Sequence, residues 1–388
     1  MTTPLSKSLT PHIYGIDLVR FACALAVALF HWNWRYSDGA GLALWGWVGV
    51  EIFFVISGIV IAASASGSTL ARFAEGRFLR LYPAAWVCGA ISVAVLLAFP
   101  ANLLDLGIKS EASRLRVAGS IILYAPWHIS SAYWTLPIEL TFYAVVAAFV
   151  SVGGGRWLPL VPRLLTLLSC IFFALLAIEQ VSGIKPPLYD FAYEQRHKLL
   201  LEHGCFFALG MYMSRAYDKK GIPLAAMDKV LAGIAALLGV YAIVNRAHEL
   251  APKTISGTTG MPGVDPVGLA LAAVLVFIGA VAFIVASMQW NHLVKLRPFG
   301  QRLVRMMGLI TYPLYLLHEA IGGTFIYHLR STEMSYGLLC GLALVLVIAV
   351  SWAAVRIEAP VRELIKSLLQ HVAYPVIAKA RTYVKRST

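Results

Sequence analysis

The first apolar segment of this chain contains an arginine and a histidine, Arg20 and His31, separated by ten residues without charge. Ionisable side chains in a hydrocarbon environment are unfavourable, so they usually mark function. In a helix, eleven residues advance about 16 Å and complete about three turns, so both side chains project from nearly the same face. The pair thus offers an anion-binding cation and a proton-transfer group. The structural alternative is an arginine that snorkels to the membrane interface and a histidine hydrogen-bonded in a helix bundle.

The composition places this segment in a membrane protein. Of the 388 residues, 59% are hydrophobic and only 13% are charged, and the mean hydropathy is +0.75. These values exclude an ordinary soluble domain. Uncharged stretches long enough to cross about 30 Å of hydrocarbon recur along the chain, without the alternation typical of strands. The sequence therefore predicts an all-α, polytopic membrane protein, because a helix satisfies its own backbone in lipid.

A single membrane-embedded domain, residues 1–388, is predicted to contain about ten transmembrane helices. Glu51, early in the second span, is expected at the membrane interface, and residues 117–133 are expected to form an interfacial or re-entrant piece. Pro360 is expected to end the last helix, and residues 358–388 to form a cytoplasmic amphipathic tail. The predicted spans lie near residues 13–34, 44–64, 81–100, 134–153, 164–182, 198–214, 225–245, 266–288, 303–327 and 335–356.

The distribution of lysine and arginine predicts the orientation of the chain. An even number of spans places both termini on one side, and the loops on that side carry slightly more basic residues than the opposite loops. The basic residues after the last span add to this difference, so both termini are predicted to be cytoplasmic. The net charge of +13 is then explained by topology and by attraction to anionic lipid, and nucleic-acid binding is not expected.

The cysteines and histidines do not indicate a metal centre. The five cysteines lie in apolar stretches without a paired spacing, which favours buried, small apolar side chains. The histidines show no pairing with a second ligand at a metal-binding spacing in a polar segment. His318 and Glu319 are adjacent, and neighbouring residues of a helix point about 100° apart. The sequence therefore predicts no metal site.

Several longer motifs follow one another in an order that resembles a known family. The start of the chain, with its Arg20 and His31, resembles the family's opening motif, and the other motifs include an FF-x-x-SG helix, an RxxR-x-x-P loop and a W-x-L-x-x-E helix. The chain resembles acyltransferase family three, the bacterial integral membrane O-acyltransferases. The matching segments are Gly15–Arg20, Val48–Gly58, Arg77–Pro83, Trp134–Tyr143, Tyr312–His318 and Ile357–Pro360.

This resemblance implies an activity and its partners. It implies transfer of an acyl group, commonly acetyl with succinyl as an alternative, from cytoplasmic acyl-CoA to a hydroxyl of a surface or exported carbohydrate or glycolipid. Acyl-CoA would be a co-substrate, and no bound cofactor is expected. The implied location is the bacterial inner membrane. Some relatives carry an appended extracytoplasmic esterase-like domain, for which this chain has no room, so direct transfer by the membrane domain is expected.

Acyl transfer to an alcohol needs a base, because a sugar hydroxyl is a poor nucleophile at neutral pH. His31 is the candidate base, and Asp17 is expected to pair with Arg20 at the i, i+3 spacing. Glu139, in an apolar setting, could orient His31, bind the acceptor hydroxyl or simply neutralise Arg20. His318 is either a second proton-transfer group or a core histidine hydrogen-bonded to a neighbouring helix.

Acyl-CoA carries phosphates, so its site needs cations that face the cytoplasm. Arg77 and Arg80 lie three residues apart and could hold these phosphates together. The alternative is that they only direct topology, as basic residues of a short cytoplasmic loop. Trp134 and Tyr315, within the family motifs, are candidates for substrate binding. The tryptophans of residues 32–47 are predicted to form an interfacial aromatic belt or, alternatively, a surface on which a sugar stacks.

Two other classes of protein would share much of this pattern. A secondary transporter or flippase would also have about ten helices and buried ionisable residues, but it should show paired halves with broken helices at matching positions. The sequence shows no such correspondence. A catalytically silent protein that binds acyl donor or lipid would lack turnover of acyl-CoA, which makes consumption of acyl-CoA the discriminating observation.

Overall fold

The computed structural model describes residues 12–36, 43–99, 123, 130–153, 155–218, 224–250 and 264–373. Throughout these ranges the secondary structure is helical, with no strand, which confirms the predicted all-α class. Most of the segment predicted as an interfacial or re-entrant piece lies outside the described residues. Its described end, Ser131–Trp134, is a short 3₁₀ turn.

The helices, numbered in chain order, are α1 (Tyr14–Tyr36), α2 (Val48–Ala65), α3 (Leu70–Ala98), α4 (Thr135–Gly153), α5 (Leu160–Ser182), α6 (Tyr189–Gln195), α7 (Gly204–Tyr217), α8 (Ala226–Leu250), α9 (Pro266–Trp290), α10 (Pro298–Leu317), α11 (Thr324–Leu329) and α12 (Tyr336–Leu368). A π-helical turn, His318–Gly323, joins α10 to α11. A second π-helical turn, Leu369–Ala373, follows α12.

Eight of the described helices are long and apolar enough to cross a membrane: α1, α2, α3, α4, α5, α8, α9 and α12. Large apolar side chains on them face outward; Val181 of α5 is 89% exposed and Val345 of α12 is 66% exposed. Such exposure in a helix bundle indicates contact with lipid. The sequence also predicted spans at α7, which has 14 residues, and at α10 with α11, so the count of about ten remains a prediction.

The arginine motif of the third span belongs to a helix and not to a loop. Helix α3 begins at Leu70, eleven residues before the span predicted from the sequence. The Thr69 side chain caps this helix by accepting a hydrogen bond from the Arg72 backbone N–H at 3.4 Å, which satisfies one of the free donors of the first turn. Arg77 and Arg80 therefore lie one helical turn apart and can act on one ligand together.

The predicted end of the last helix at Pro360 is wrong. Helix α12 continues through this proline to Leu368. Proline removes one backbone hydrogen bond, a loss that helices of membrane proteins tolerate. The side chains on either side of it compensate, because Arg362 donates a hydrogen bond to Glu358 at 3.0 Å, an i, i+4 ion pair that spans the proline. The predicted amphipathic tail remains a prediction, since residues 374–388 lie outside the described ranges.

Helices α2 and α7 pack closely at the centre of the bundle. Gly58 of α2 and Gly210 of α7 face each other, and a Cβ atom at Gly210 would overlap the carbonyl oxygen of Val55. A Cβ atom at Gly58 would likewise overlap the carbonyl oxygen of Phe207. Small residues that let two backbones approach are a usual feature of helix packing in membranes. This contact fixes α2, which carries several residues of the cavity described below.

Substitution of Gly210 with alanine tests this close packing. The added methyl group would push α7 away from the α2 backbone, and overpacking of this kind destabilises a core by about 1–3 kcal/mol. We expect Gly210→Ala to lower the thermal unfolding midpoint of the detergent-purified protein, measured by intrinsic tryptophan fluorescence.

The matched control is Gly233→Ala, in the middle of α8, where no atom lies within 4 Å of the added Cβ. Alanine is a better helix former than glycine by about 1 kcal/mol, so this variant should be unchanged or more stable. An unfolding midpoint that responds equally to both substitutions would contradict the proposed contact.

Candidate functional site

A cavity of about 120 Å³ lies between α1, α2, α3, α4 and α10. Three cationic side chains and one carboxylate line it, which leaves an excess of positive charge. An excess of cations around a partly enclosed cavity is stabilised by an anionic ligand. The charged residues of its lining are Arg20, Arg77, Arg80 and Glu139.

The carboxylate of this cavity is held by hydroxyl groups. The Tyr143 hydroxyl donates a hydrogen bond to Glu139 Oε1, and the Ser57 hydroxyl donates to the same oxygen at 3.4 Å. Glu139 and Tyr143 lie four residues apart on α4, so one face of this helix carries both groups. The charges of Glu139 and of Asp17 both act on Arg20, so Glu139 is one counter-charge of that arginine.

Arg77 is positioned with free hydrogen-bonding capacity. Its Nε atom is buried and has no hydrogen-bond partner among the described residues. Its guanidinium carbon lies 5.9 Å from the ring centroids of both Phe73 and Tyr143, so two aromatic faces hold it in place. Arg80, one turn further along α3, is exposed at the edge of the cavity. Together the two arginines present donors that match a phosphate or a carboxylate.

At the opposite end of α1 from Arg20, His31 lies beside the carboxylate of Glu319, which follows α10. His31 Nδ1 lies 3.3 Å from Glu319 Oε1, and the ring centroids of His31 and His318 are 5.1 Å apart. The Ser130 hydroxyl donates to Glu319 Oε2 at 3.0 Å. Both His318 and Glu319 are buried, whereas the His31 side chain is 27% exposed and can be reached by a substrate.

Glu319 was not among the candidate residues of the sequence analysis. On a helix it points away from His318, and this angle argued against a common site. In the structure the two side chains converge on a third residue, His31, that comes from a different helix. They also lie at the start of the π-helical turn, a distortion that is frequent at functional sites. An acidic residue directly after the histidine of the Tyr312–His318 motif was the available signal.

Trp32 holds the π-helical turn against α1. Its Nε1 donates a hydrogen bond to the His318 carbonyl oxygen at 3.1 Å, and a Cβ atom at Gly322 would overlap the Trp32 ring. Trp32 is 1% exposed and Trp47 is 7% exposed. The predicted aromatic belt is therefore wrong for these two tryptophans, because their rings fill the protein interior.

Tyr315 connects the cavity to the His31 end of α1. Its side chain lines the cavity, its hydroxyl is hydrogen-bonded to Thr135 Oγ1 at 3.2 Å, and its ring centroid lies 6.0 Å from that of His318. A chain of neighbouring side chains thus leads from the arginine-lined cavity through Tyr315 and His318 to His31. We call the residues His31, His318 and Glu319 the histidine–carboxylate triad.

Two of the candidate residues lie away from the cavity and the triad. Asp17 accepts a hydrogen bond from His12 Nε2 at 2.7 Å, so the ion pair expected with Arg20 is replaced by a pair with His12. Trp134 packs against two histidines of the segment before α7, with ring centroids 5.6 Å from His197 and 5.7 Å from His203. Neither residue lines the cavity.

The triad is one of two groups in the described part of the chain whose atoms could share a metal ion. The other group is His197, Glu202 and His203. Chain spacing did not reveal either group, because the ligands of one come from two helices and those of the other from a folded turn.

Comparison with known proteins finds relatives named for exopolysaccharide production, nodulation and peptidoglycan O-acetylation. It is 27% identical over 282 residues to the exopolysaccharide production protein ExoZ of Rhizobium meliloti (strain 1021), which covers 70% of this chain and 75% of that protein. It is 26% identical over 344 residues to the peptidoglycan O-acetyltransferase OatA of Listeria monocytogenes serovar 1/2a (strain ATCC BAA-679 / EGD-e), which covers 82% of this chain and 50% of that protein.

A third relative is nodulation protein 10 of Rhizobium leguminosarum bv. viciae, which is 28% identical over 179 residues, or 40% of this chain and 48% of that protein. The chain thus spans about half the length of OatA and of nodulation protein 10. No solved structure matches the chain significantly.

The sequence model of one family, described as an acyltransferase domain, matches residues 13–356. This range contains the cavity and the histidine–carboxylate triad. The chain belongs to this acyltransferase family and is an all-helical, multi-pass membrane enzyme.

Proposed function

We propose that this protein is a membrane O-acyltransferase that moves an acyl group from cytoplasmic acyl-CoA to a hydroxyl of a surface or exported carbohydrate. Acetyl is the proposed group and succinyl the alternative. The observation that carries the proposal is the continuous line of side chains from the arginine-lined cavity through Tyr315 to His31. The similarity to ExoZ and OatA, which are named for exopolysaccharide production and for peptidoglycan O-acetylation, supports a carbohydrate acceptor.

The donor end of the site is assigned to the arginines. Arg77 and Arg80 would bind phosphates of the CoA moiety, because guanidinium groups one helical turn apart can each make charge-assisted hydrogen bonds to phosphate oxygens. Arg20, deeper in the cavity, would provide a third cation for the negatively charged part of the donor. The negative charge of Glu139 balances the charge of Arg20. This lowers the affinity of the cavity for small anions other than the donor. Asp17, hydrogen-bonded to His12, would add negative charge near Arg20 and so help to position that arginine.

The acceptor end is assigned to the histidine–carboxylate triad. His31 Nδ1 lies 3.3 Å from Glu319 Oε1; in the neutral tautomer with the proton on Nδ1, Nε2 is left as the base, as in other histidine–carboxylate pairs. Nε2 takes the proton of the acceptor hydroxyl, and the hydroxyl oxygen attacks the thioester carbonyl carbon. The carbon–sulfur bond then breaks, CoA leaves as a thiolate, and the proton on His31 is available to it. His318 and Ser130 hold the position of Glu319 and His31.

Removal of the base tests the acceptor end. We expect His31→Ala to lower the rate of acyl transfer by about 10²- to 10⁴-fold, because a positioned general base contributes this much. Glu319→Gln should also lower kcat, with a smaller effect on the KM for acyl-CoA, because it disturbs the orientation and charge of His31 but not donor binding. Transfer of radiolabelled acetyl from acetyl-CoA in membrane vesicles, normalised to the amount of inserted protein, measures both.

The matched control for these variants is His328→Gln, a histidine of α11 whose Nδ1 lies 3.0 Å from the Thr324 carbonyl oxygen. It should retain wild-type transfer. Near-normal transfer by a correctly inserted His31→Ala protein would refute the assignment of the base.

Substitution of Arg77 separates donor binding from topology. Each lost charge-assisted hydrogen bond costs on the order of 1.5–3 kcal/mol, so Arg77→Ala should raise the KM for acyl-CoA by about 10-fold or more while the KM for the acceptor changes little. Arg77→Lys should recover only part of the loss, because lysine lacks the bidentate geometry.

Arg72→Ala is the control for this experiment, because Arg72 is an exposed cation on the first turn of the same helix. If positive charge near α3 serves only to orient the chain, both alanine variants should behave alike. Equal donor KM values for Arg72→Ala and Arg77→Ala, in proteins of verified orientation, would remove the support for a phosphate-binding role.

The substrate is tested in cells. Surface and exported glycans from cells with and without the gene would be compared by mass spectrometry. We expect the loss of an acetyl or succinyl mass from one glycan class when the gene is deleted, and its return with the wild-type gene but not with His31→Ala. Identical glycan masses in all these strains would contradict the proposed acceptor class.

A further inference from the structure

A second cluster of histidine and carboxylate side chains lies in the segment that precedes α7, away from the cavity. His197 Nδ1 lies 3.0 Å from His203 Nε2 and 3.5 Å from Glu202 Oε2. One possible ligand atom from each of these three residues lies within 4.8 Å of the other two. Imidazole nitrogens and a carboxylate oxygen in this arrangement form a donor set typical of zinc.

The other ring nitrogen of His203 faces a carboxylate from a different helix. His203 Nδ1 lies 3.4 Å from Glu51 Oε2 of α2, and the two residues are 2% and 8% exposed. A histidine that binds a metal through one nitrogen usually directs its other N–H at a carboxylate, which sets the tautomer and the ring orientation. Glu51 was expected at the membrane interface, and its burial against His203 supplies this second element of a metal site.

The polar atoms of this cluster are not fully satisfied by the protein. His203 Nδ1, Glu51 Oε2 and Glu202 Oε2 are all buried, and although His203 Nδ1 and Glu51 Oε2 lie 3.4 Å apart, none of the three atoms makes a hydrogen bond of regular geometry within the described residues. With both histidines neutral, as metal ligands must be, Arg196 is the one ion-pair partner of the two carboxylates among the described residues, and its Nε lies 3.1 Å from Glu202 Oε2. Buried polar atoms without partners require an explanation, and a bound metal ion is a common one. A divalent cation would supply the missing positive charge.

We propose that His197, His203 and Glu202 bind one Zn²⁺ ion, with Glu51 as the outer carboxylate that orients His203. Tetrahedral ligands about 2.1 Å from a metal lie about 3.4 Å from one another. The observed separations of 3.0 Å and 3.5 Å from His197 Nδ1 are close to this value. The side chain of His197 is 38% exposed, which gives the ion a route of entry.

The ion would have a structural role. It would connect the segment before α7 to Glu51 at the start of α2, and both histidine rings pack against Trp134. Trp134 directly precedes α4, which carries Glu139 into the cavity. The zinc site would thus stabilise the entry of α4, and this inference does not depend on the proposed acyl acceptor or donor.

The test is zinc binding by the full-length protein in detergent. The protein is first treated with a chelator and then titrated with Zn²⁺, and we expect one equivalent per chain by calorimetry and, after desalting, by elemental analysis. His203→Gln should lose this equivalent. Glu51→Gln should bind about 10- to 100-fold more weakly, the usual effect of losing an outer carboxylate. Added Zn²⁺ should raise the thermal unfolding midpoint of the wild type.

Two further variants keep the result interpretable if His203→Gln does not fold. His197→Gln alters the half-exposed ligand and should also lose the zinc while eluting as a monodisperse protein. His318→Gln disables the histidine–carboxylate triad and should keep full zinc binding, as should the exposed-surface control His248→Gln. Absence of zinc binding in the wild type, its persistence in His197→Gln, or its loss in His318→Gln would each overturn the proposal.

Discussion

The need to shield ionisable side chains from lipid determines how this helix bundle is assembled. Hydrocarbon offers a charged group neither water nor hydrogen bonds, so such a group must face the protein interior and meet a partner there. Helix α1 carries two such groups at different positions along its axis. Arg20 lies in the cavity, and His31 lies beside Glu319. The carboxylate at each of these two places accepts a hydrogen bond from a hydroxyl group, Glu139 from Tyr143 and Glu319 from Ser130.

The two polar centres of α1 are separated by about 16 Å along the helix axis. Under the proposed function this separation suits a transfer in which a charged donor and a carbohydrate acceptor approach from different directions. Tyr315 provides the link, since it lines the cavity and packs near His318. Its hydroxyl is hydrogen-bonded to Thr135 at the start of α4, so the link is also fixed relative to Glu139.

One irregular helical turn carries functional side chains. The π-helical turn His318–Gly323 carries two members of the triad, and Trp32 stabilises it through the His318 carbonyl oxygen. The absence of a side chain at Gly322 leaves room for the Trp32 ring. Close approach at Gly58 and Gly210 fixes α2 and α7 in the same way, so small residues position the helices that carry the site.

The sequence by itself determined the class of the protein and named several residues of the candidate site. Apolar length and the scarcity of charge predicted the helices, and the spacing of Arg20 and His31 predicted one polar face, because both properties depend only on residues close together in the chain. The motif of Arg77 and Arg80 likewise identified two residues of the cavity lining. These predictions rest on the local periodicity of the sequence, which determines which residues share a helix face regardless of the surrounding structure.

Only the tertiary structure decided which groups are partners. Glu319 and not Glu139 lies beside His31, Asp17 pairs with His12 and not with Arg20, and Glu51 reaches His203 in a segment far along the chain. Chain spacing carries no information on such contacts, because they depend on how separate helices pack. The physical reason is that the partner of a buried charge can come from any of the helices that surround it. The packing of those helices depends on the whole sequence.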